Sequence, residues 1–281
     1  MFVAGYGSGP ETLRDLGQVL HATLDATVRL VALAGHTGTL GTFLESRSWQ
    51  YLREAEERFL RVWSETGTRV HLGGYSTGAL VALLIAARHP EKVAALVLVS
   101  PALRLASRGK QVIGYTIGSA YYLLLPVVGL GAVLSLLWRR RQLGRTSPRD
   151  LTALAGTAVV VVGAALGLRS LTIATRDGGP ILRNGEEVLP PHFARASLVG
   201  GSSLVPLQLA ARWSLERLSL PVCIVFGEAD ETVDVRFGTL RAARRANTEL
   251  HVVPGAPHRV VTFEECLSTV RDFVARTRTP A

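Results

Sequence analysis

The 281-residue chain has few cysteines, and its histidines are dispersed, and these two features exclude whole classes of site. Only two cysteines occur, Cys223 in an apolar run and Cys266 in the last helical segment. Such positions are typical of buried, reduced thiols rather than of a disulfide framework. No group of histidine, cysteine and carboxylate residues has metal-ligand spacing. We therefore expect neither a metal nor another cofactor.

Aromatic residues are also scarce, at 6% of the chain, although the net charge is +9. Clustered arginines contact nucleic acid or anionic lipid. No basic strip interleaved with aromatic residues and no nucleic-acid-binding module occurs in the sequence. Because 48% of the residues are hydrophobic and the mean hydropathy is +0.27, we expect a membrane rather than nucleic acid as the partner.

The N-terminus has no basic region followed by a long apolar core, so it does not resemble a signal peptide. We accordingly expect the N-terminal domain to lie on the cytoplasmic side. The length suits one large α/β domain with an insertion, or two small domains. The sequence does not indicate an oligomeric state.

The motif Gly-Tyr-Ser-Thr-Gly at residues 74–78 lies between an apolar run and a stretch of helix formers. A strand, an abrupt turn and a helix form the context that a G-x-S-x-G nucleophile elbow requires. Glycine two residues before and after Ser76 relieves crowding around a strained serine. The motif alone is also compatible with a glycine-rich turn that carries a bystander serine. With its flanks it predicts Ser76 as a nucleophile.

Apolar runs of strand length alternate with amphipathic segments, which predicts a doubly wound, mostly parallel sheet. The expected strands cover residues 27–33, 69–73, 93–99, 221–226 and 249–253. The expected helices cover residues 11–20, 49–66, 79–88, 204–218 and 263–276. Loops are expected at Pro190 and Pro191 and at residues 200–203.

A serine nucleophile needs a base, and the base needs an acid that orients it. In sheets of this kind the acid and then the histidine follow the serine, each on a loop after a strand. Asp230 follows the strand at 221–226, and His258 follows the strand at 249–253. We therefore predict Asp230 as the acid and His258 as the base. Three nearby carboxylates are rivals of Asp230: Glu228, Glu231 and Asp234.

Two backbone N–H groups are expected to form an oxyanion hole. Thr77, directly after the serine, supplies one, and Tyr6, flanked by Gly5 and Gly7, supplies the other. His36 lies in a separate Gly-His-Thr-Gly loop. We interpret it as a hydrogen-bonding loop residue rather than a catalytic one, and His192 has no assignable role.

Two uncharged runs interrupt the α/β pattern, one of 27 residues at 112–138 and one of 18 residues at 151–168. As helices they would be roughly 40 and 27 Å long, compared with about 30 Å for the hydrocarbon core of a bilayer. Pro126 is expected to kink the first. The runs predict either a pair of buried cap helices or a membrane-embedded hairpin, and their uniform apolarity favours the hairpin.

The depth of this hairpin is open. Five arginines lie between residues 139 and 149, at the turn that joins the two runs. A spanning hairpin whose ends are cytoplasmic would place them outside, against the positive-inside tendency. A re-entrant or interfacial hairpin would instead leave them among the lipid head groups.

Together these motifs resemble α/β-hydrolases of the bacterial carboxylesterase and monoacylglycerol-lipase group, which borders on serine aminopeptidase-like hydrolases. Residues 5–12 resemble that group's His-Gly-Phe-x-Gly-Ser-Pro-Glu loop, and residues 33–39 its Leu-Pro-Gly-His-Gly-Thr loop. The resemblance implies a core at residues 1–105 and 219–281 and a cap insertion at 106–218. It also implies that Ser76, Asp230 and His258 form a triad.

The chain departs from the group in three ways. Ala4 replaces the group's histidine, the given sequence begins at what would be the group's third strand, and the cap is strongly apolar. The second departure implies either a sheet that is shortened at its N-terminal end or a true start that lies further upstream. We expect a membrane-associated serine ester hydrolase that acts on small or lipid acyl esters. An amidase or aminopeptidase of the same fold, and an inactive membrane-anchored binding protein, are the alternatives.

Overall fold

The computed structural model describes residues 1–143, 148–174, 182–183, 186–187 and 195–278. Six of its strands form one parallel sheet in the order β10-β9-β4-β3-β1-β2. These strands are β1 (Phe2–Val3), β2 (Leu30–Val31), β3 (Val70–Tyr75), β4 (Val93–Val99), β9 (Val222–Gly227) and β10 (Thr248–Val253). The insertion carries two short antiparallel pairs, β5 (Thr172–Ala174) with β8 (Arg195–Ser197) and β6 (Leu182–Arg183) with β7 (Glu186–Glu187).

Helices cover both faces of the large sheet and form most of the insertion. They are α1 (Arg14–Leu24), α2 (Leu40–Glu45), α3 (Ser48–Thr66), α4 (Thr77–Arg88), α5 (Arg108–Ser119), α6 (Leu125–Leu143), α7 (Pro148–Ser170), α8 (Leu198–Ser202), α9 (Leu204–Leu215), α10 (Val235–Ala242) and α11 (Glu264–Thr277). Short 3-10 turns occur at Pro10–Leu13, Pro90–Lys92 and Val260–Thr262, and a π-helical turn occurs at Ala120–Leu124.

The central strands are apolar throughout because both of their faces are covered. All residues of β9 are buried, as are six of the seven in β4. One core cluster packs α1 and α11 against the sheet, through residues such as Leu16 and Phe273. The other packs α3, α4 and α9 on the opposite face, through residues such as Phe59. The predicted doubly wound α/β-hydrolase sheet, with its helical insertion, is confirmed.

Two local predictions differ from the structure. The strand expected at residues 27–33 is only Leu30–Val31, because β2 is an edge strand whose single neighbour, β1, has two residues. Residues 200–203, expected as a loop, belong mostly to α8, because the Ser197 hydroxyl accepts from Gly200 N–H at 3.1 Å and caps the turn. The loop expected at Pro190 and Pro191, and His192, lie outside the described residues.

The two apolar runs form long helices that stand away from the core. α5, the π-helical turn and α6 are continuous, and α7 packs against α6. None of the residues in the apolar windows of Arg108–Gln142 and Asp150–Leu168 is buried, so a pair of buried cap helices is wrong. Both helices are long and apolar enough to cross a membrane by length and composition. We call α5, the π-helical turn, α6 and α7 together the hairpin, and α5 with the π-helical turn its root.

Two features shape the hairpin. The π-helical turn ends directly before Leu125 and Pro126, where the proline ring would crowd the carbonyl four residues earlier in a regular α-helix. At the far end, Arg139 of α6 pairs with Asp150 of α7 at 2.8 Å, and the Asp150 side chain is only 9% exposed. The ion pair joins the two helices beside their connection.

Candidate active site

Ser76 lies at the turn between β3 and α4 in a strained backbone conformation, with φ 55° and ψ −116°. Both glycines of the motif are required, because a side chain at either position would clash with neighbouring backbone atoms. A Cβ on Gly74 would lie 2.3 Å from the Gly78 carbonyl oxygen, and a Cβ on Gly78 would lie 2.2 Å from the Val3 carbonyl oxygen. The strand-turn-helix elbow predicted around Ser76 is therefore present, and β1 packs directly onto it.

The structure brings the three predicted side chains together. His258 Nε2 lies 3.0 Å from Ser76 Oγ, and His258 Nδ1 lies 2.7 Å from Asp230 Oδ2. The Asp230 side chain is fully buried, and that of His258 is 13% exposed. A hydroxyl, an imidazole and a carboxylate thus form one continuous hydrogen-bonded chain.

The loop after β9 fixes the carboxylate. Asp230 Oδ1 accepts from the N–H groups of Thr232 at 2.8 Å and Val233 at 2.9 Å, which leaves Oδ2 for the imidazole. Two of the rival carboxylates have other partners. Asp234 caps α10 and pairs with Arg104, and Glu228 accepts from Gly255 N–H at 2.9 Å.

Gly227, at the end of β9, lets the histidine loop fold back over the sheet. A Cβ there would lie 2.3 Å from the Ala256 carbonyl oxygen and 2.4 Å from that of Pro257. Ala229 N–H also donates to the Ala256 carbonyl at 2.9 Å. The loop that carries His258 is thereby packed against the loop that carries Asp230. Sequence reasoning did not single out Gly227, although a glycine directly after a predicted strand indicates that another backbone segment can approach closely there.

The two predicted oxyanion donors lie on either side of Ser76. Thr77 is the first residue of α4, where a backbone N–H has no acceptor within the helix. In the part of the chain that the structure describes, no hydrogen bond from Tyr6 N–H is found. A Cβ on Gly5 would lie 3.2 Å from Ser76 Cβ, so the Tyr6 loop closely approaches the serine.

The Tyr6 side chain is enclosed by an aromatic cluster that sequence reasoning missed. Its ring centroid lies 5.5 Å from that of His36, 5.1 Å from Phe43 and 6.3 Å from Tyr51. Burial raises the pKa of the Tyr6 hydroxyl. The three rings around Tyr6 come from a loop, from α2 and from α3, and no sequence motif links them to Tyr6.

His36 lies within this cluster rather than beside the serine. It is buried, and its Nδ1–H donates to the Ala34 carbonyl at 2.8 Å. Among the described residues its Nε2 has no hydrogen-bond partner. Burial lowers the pKa of His36 to about 4. These contacts are those of the hydrogen-bonding loop residue that we expected.

Both cysteines are free and buried, one in β9 and one in α11. Burial raises the pKa of the Cys223 and Cys266 thiols to about 12. The thiols are therefore protonated and unreactive at neutral pH, as expected for core residues.

The parallel sheet and its serine elbow define the α/β-hydrolase fold. The model of the alpha/beta hydrolase family matches residues 1–274, and the chain belongs to this family. No curated protein sequence matches the chain.

Three solved structures illustrate the likeness in fold. A structure from the metagenome-derived lipolytic enzymes LipS and LipT has a TM-score of 0.67 at 16% identity, covering 99% of this chain and 92% of the other. A soluble variant of monoglyceride lipase from Saccharomyces cerevisiae has a TM-score of 0.60 at 14% identity, covering 99% and 86%. The monoacylglycerol lipase of Paleococcus ferrophilus has a TM-score of 0.59 at 16% identity, and the match covers 99% of this chain and 93% of the other.

The close contact at Gly78 predicts the effect of a single methyl group. In Gly78→Ala, a Cβ at 2.2 and 2.3 Å from the Val3 and Ala4 carbonyl oxygens forces β1 away from the elbow. We expect the free energy of unfolding to fall by about 3 kcal/mol, the upper part of the usual range for overpacking. Thermal unfolding followed by circular dichroism measures this. Gly163→Ala is the control, since nothing lies within 4 Å of its Cβ, and equal stability of the two variants would contradict the packing argument.

The buried imidazole of His36 predicts a pH dependence of stability. Its pKa of about 4 in the folded chain compares with roughly 6.5 when unfolded. Between these values the unfolded chain binds more protons than the folded chain, so the free energy of unfolding falls as the pH is lowered. At pH 5 it should be about 2 kcal/mol lower than at pH 7. We expect His36→Asn, which keeps a donor near the Ala34 carbonyl but does not titrate, to lose less stability than wild type between pH 7 and pH 5.

Urea titrations followed by tryptophan fluorescence at the two pH values measure this difference. The matched control is His21→Asn, because His21 is exposed at the end of α1. A pH dependence that is the same in wild type and in His36→Asn would contradict the assignment to His36.

Proposed function

We propose that the protein is a membrane-associated serine hydrolase that cleaves acyl esters of lipid type through an acyl-enzyme at Ser76. The observation that carries this is the hydrogen-bonded chain from Ser76 through His258 to Asp230. Family membership supports a hydrolase, and the lipolytic names of the three solved structures support an ester.

In the first half of the reaction, His258 Nε2 takes the proton from Ser76 Oγ as that oxygen attacks the ester carbonyl carbon. Asp230 holds Nδ1–H and stabilises the imidazolium that forms. The alcohol then leaves as the C–O bond breaks, and it receives the proton from Nε2. In the second half, His258 Nε2 takes a proton from water as the water oxygen attacks the acyl carbon. The bond between that carbon and Ser76 Oγ then breaks, Nε2 returns the proton to Oγ, and the acid is released.

The negative charge that develops on the carbonyl oxygen needs donors already in place. Tyr6 N–H and Thr77 N–H are our candidates for this role. Thr77 opens α4, a helix of twelve residues, so the helix dipole adds to the donor's effect at this point.

A fluorophosphonate probe tests the serine mechanism. It should label wild type and leave Ser76→Ala unlabelled, because phosphonylation requires an activated serine oxygen. Ser64→Ala, an exposed serine on α3, is the matched control and should label normally. Failure to label folded wild-type protein would overturn the mechanism. Comparing p-nitrophenyl esters with aminoacyl anilides then separates an esterase from the amidase alternative.

The membrane part of the proposal is supported by the hairpin. Its apolar side chains face outward, with Val127, Val159 and Val160 being 65%, 72% and 69% exposed. A surface of this extent is unfavourable in water and favourable in lipid. At its far end Trp138 precedes Arg139, Arg140 and Arg141, the residue types that anchor a helix at the lipid head groups.

Fractionation tests the membrane association. We expect the protein to remain with the membrane pellet after a carbonate wash, since buried apolar surface is insensitive to high pH. Val159→Asp with Val160→Asp should shift it toward the soluble fraction, because each charge opposes insertion by about 2.5–3.5 kcal/mol at the centre of a helix. The control is the double variant Val159→Leu with Val160→Leu, which keeps both side chains apolar. Wild type found wholly in the soluble fraction would contradict the proposal.

A further inference from the structure

The root of the hairpin is joined to a short helix that lies over the candidate oxyanion loop. Tyr122, in the π-helical turn, donates from its hydroxyl to the Val199 carbonyl of α8 at 3.1 Å. Its ring also meets Trp49 edge-on, with centroids 5.9 Å apart. Val199 is fully buried, so this link is made beneath the hairpin rather than on its exposed surface.

α8 in turn lies beside the phenol of Tyr6. A Cβ on Gly200 would lie 3.4 Å from Tyr6 Oη, 3.5 Å from the Ser46 carbonyl oxygen and 3.2 Å from Ser197 Cβ. Among the described residues Tyr6 Oη has no hydrogen-bond partner. The tip of Tyr6 therefore lies in the space next to Gly200, where a side chain would reach it, while the aromatic cluster encloses the ring.

A second connection attaches α8 to the core. Ser48, the first residue of α3, donates its N–H to Ser203 Oγ at 3.0 Å and its hydroxyl to the Ser203 carbonyl at 2.5 Å. Ser203 immediately follows α8. The helix is thus fixed at its C-terminal end by the core and along its length by Tyr122 of the hairpin.

We infer that α8 is a positioning element that couples the hairpin to the oxyanion donor Tyr6. This inference rests on the proposed function, in which Tyr6 N–H stabilises the oxyanion. Tyr122 places α8, Gly200 of α8 places the Tyr6 side chain, and the side chain fixes the backbone to which the N–H belongs. Tyr122 and Gly200 are positioning residues, and neither contacts Ser76 directly.

The test of the Gly200 contact is a double-mutant cycle with a matched control. Gly200→Ala would bring a methyl group to 3.4 Å from Tyr6 Oη, at the edge of ordinary contact. It should lower kcat by about threefold with little change in KM, because a displaced donor weakens an interaction made in the transition state. Tyr6→Phe removes the crowded hydroxyl and should restore most of kcat in the Gly200→Ala background. Gly201→Ala is the control, since nothing lies within 4 Å of its Cβ.

The test of the hairpin link compares two neighbouring tyrosines in vesicle-reconstituted full-length protein. Tyr122→Phe keeps the ring contact with Trp49 and removes the hydroxyl that donates to Val199 and also interacts with Ser203 and Arg47, so kcat for a p-nitrophenyl ester should fall about fivefold. Tyr121→Phe is the control and should keep wild-type kcat. Thermal unfolding of each variant verifies that it is folded.

The possible results distinguish a failure of the role of α8 from a failure of the proposed hydrolase function. An active wild type with equal kcat in Gly200→Ala and Gly201→Ala, or no rescue by Tyr6→Phe, overturns the role of α8. Equal kcat in Tyr122→Phe and Tyr121→Phe overturns the coupling to the hairpin. A folded wild type that neither turns over esters nor reacts with fluorophosphonate overturns the proposed function itself.

Discussion

The close packing of β1 on the start of α4 is the contact on which the rest of the site depends. The backbone of Val3 and Ala4 occupies the space that a side chain at residue 78 would fill, and Gly5 continues toward Ser76. One contact therefore brings together the strained serine and the loop that carries Tyr6. The candidate nucleophile after the third strand and a candidate oxyanion donor after the first strand become neighbours because no Cβ separates them.

The remaining members of the site depend on the order of the parallel strands. β4 separates β3 from β9, and β10 lies beyond β9 at the edge, so His258 must reach back across the sheet toward Ser76. Gly227 makes this possible because it has no side chain, so the carbonyl groups of the histidine loop can pack against its backbone. The buried carboxylate of Asp230, held by two N–H groups, then fixes the direction in which the imidazole faces.

The hairpin and the core have different surroundings. Core residues such as Phe59 and Leu80 are buried by other protein, whereas most of the large apolar side chains described in α6 and α7 are exposed. The two parts are joined where Tyr122 meets α8, beside the aromatic cluster around Tyr6. This arrangement places the contact between Tyr122 and α8 close to Tyr6, a candidate oxyanion donor.

The sequence by itself determined the sheet and the elbow at Ser76 and singled out Asp230 and His258 as candidate acid and base, because strand-length apolar runs, glycine spacing and strand-end loops are local patterns. It also predicted two long apolar helices and favoured a membrane hairpin over a pair of buried cap helices. Only the tertiary structure decided that they are exposed, that β2 has two residues and that residues 198–202 form a helix. The Tyr6 cluster and the Gly200 contact likewise join segments far apart in the chain. Such contacts depend on how layers pack, and no periodicity within one segment encodes them.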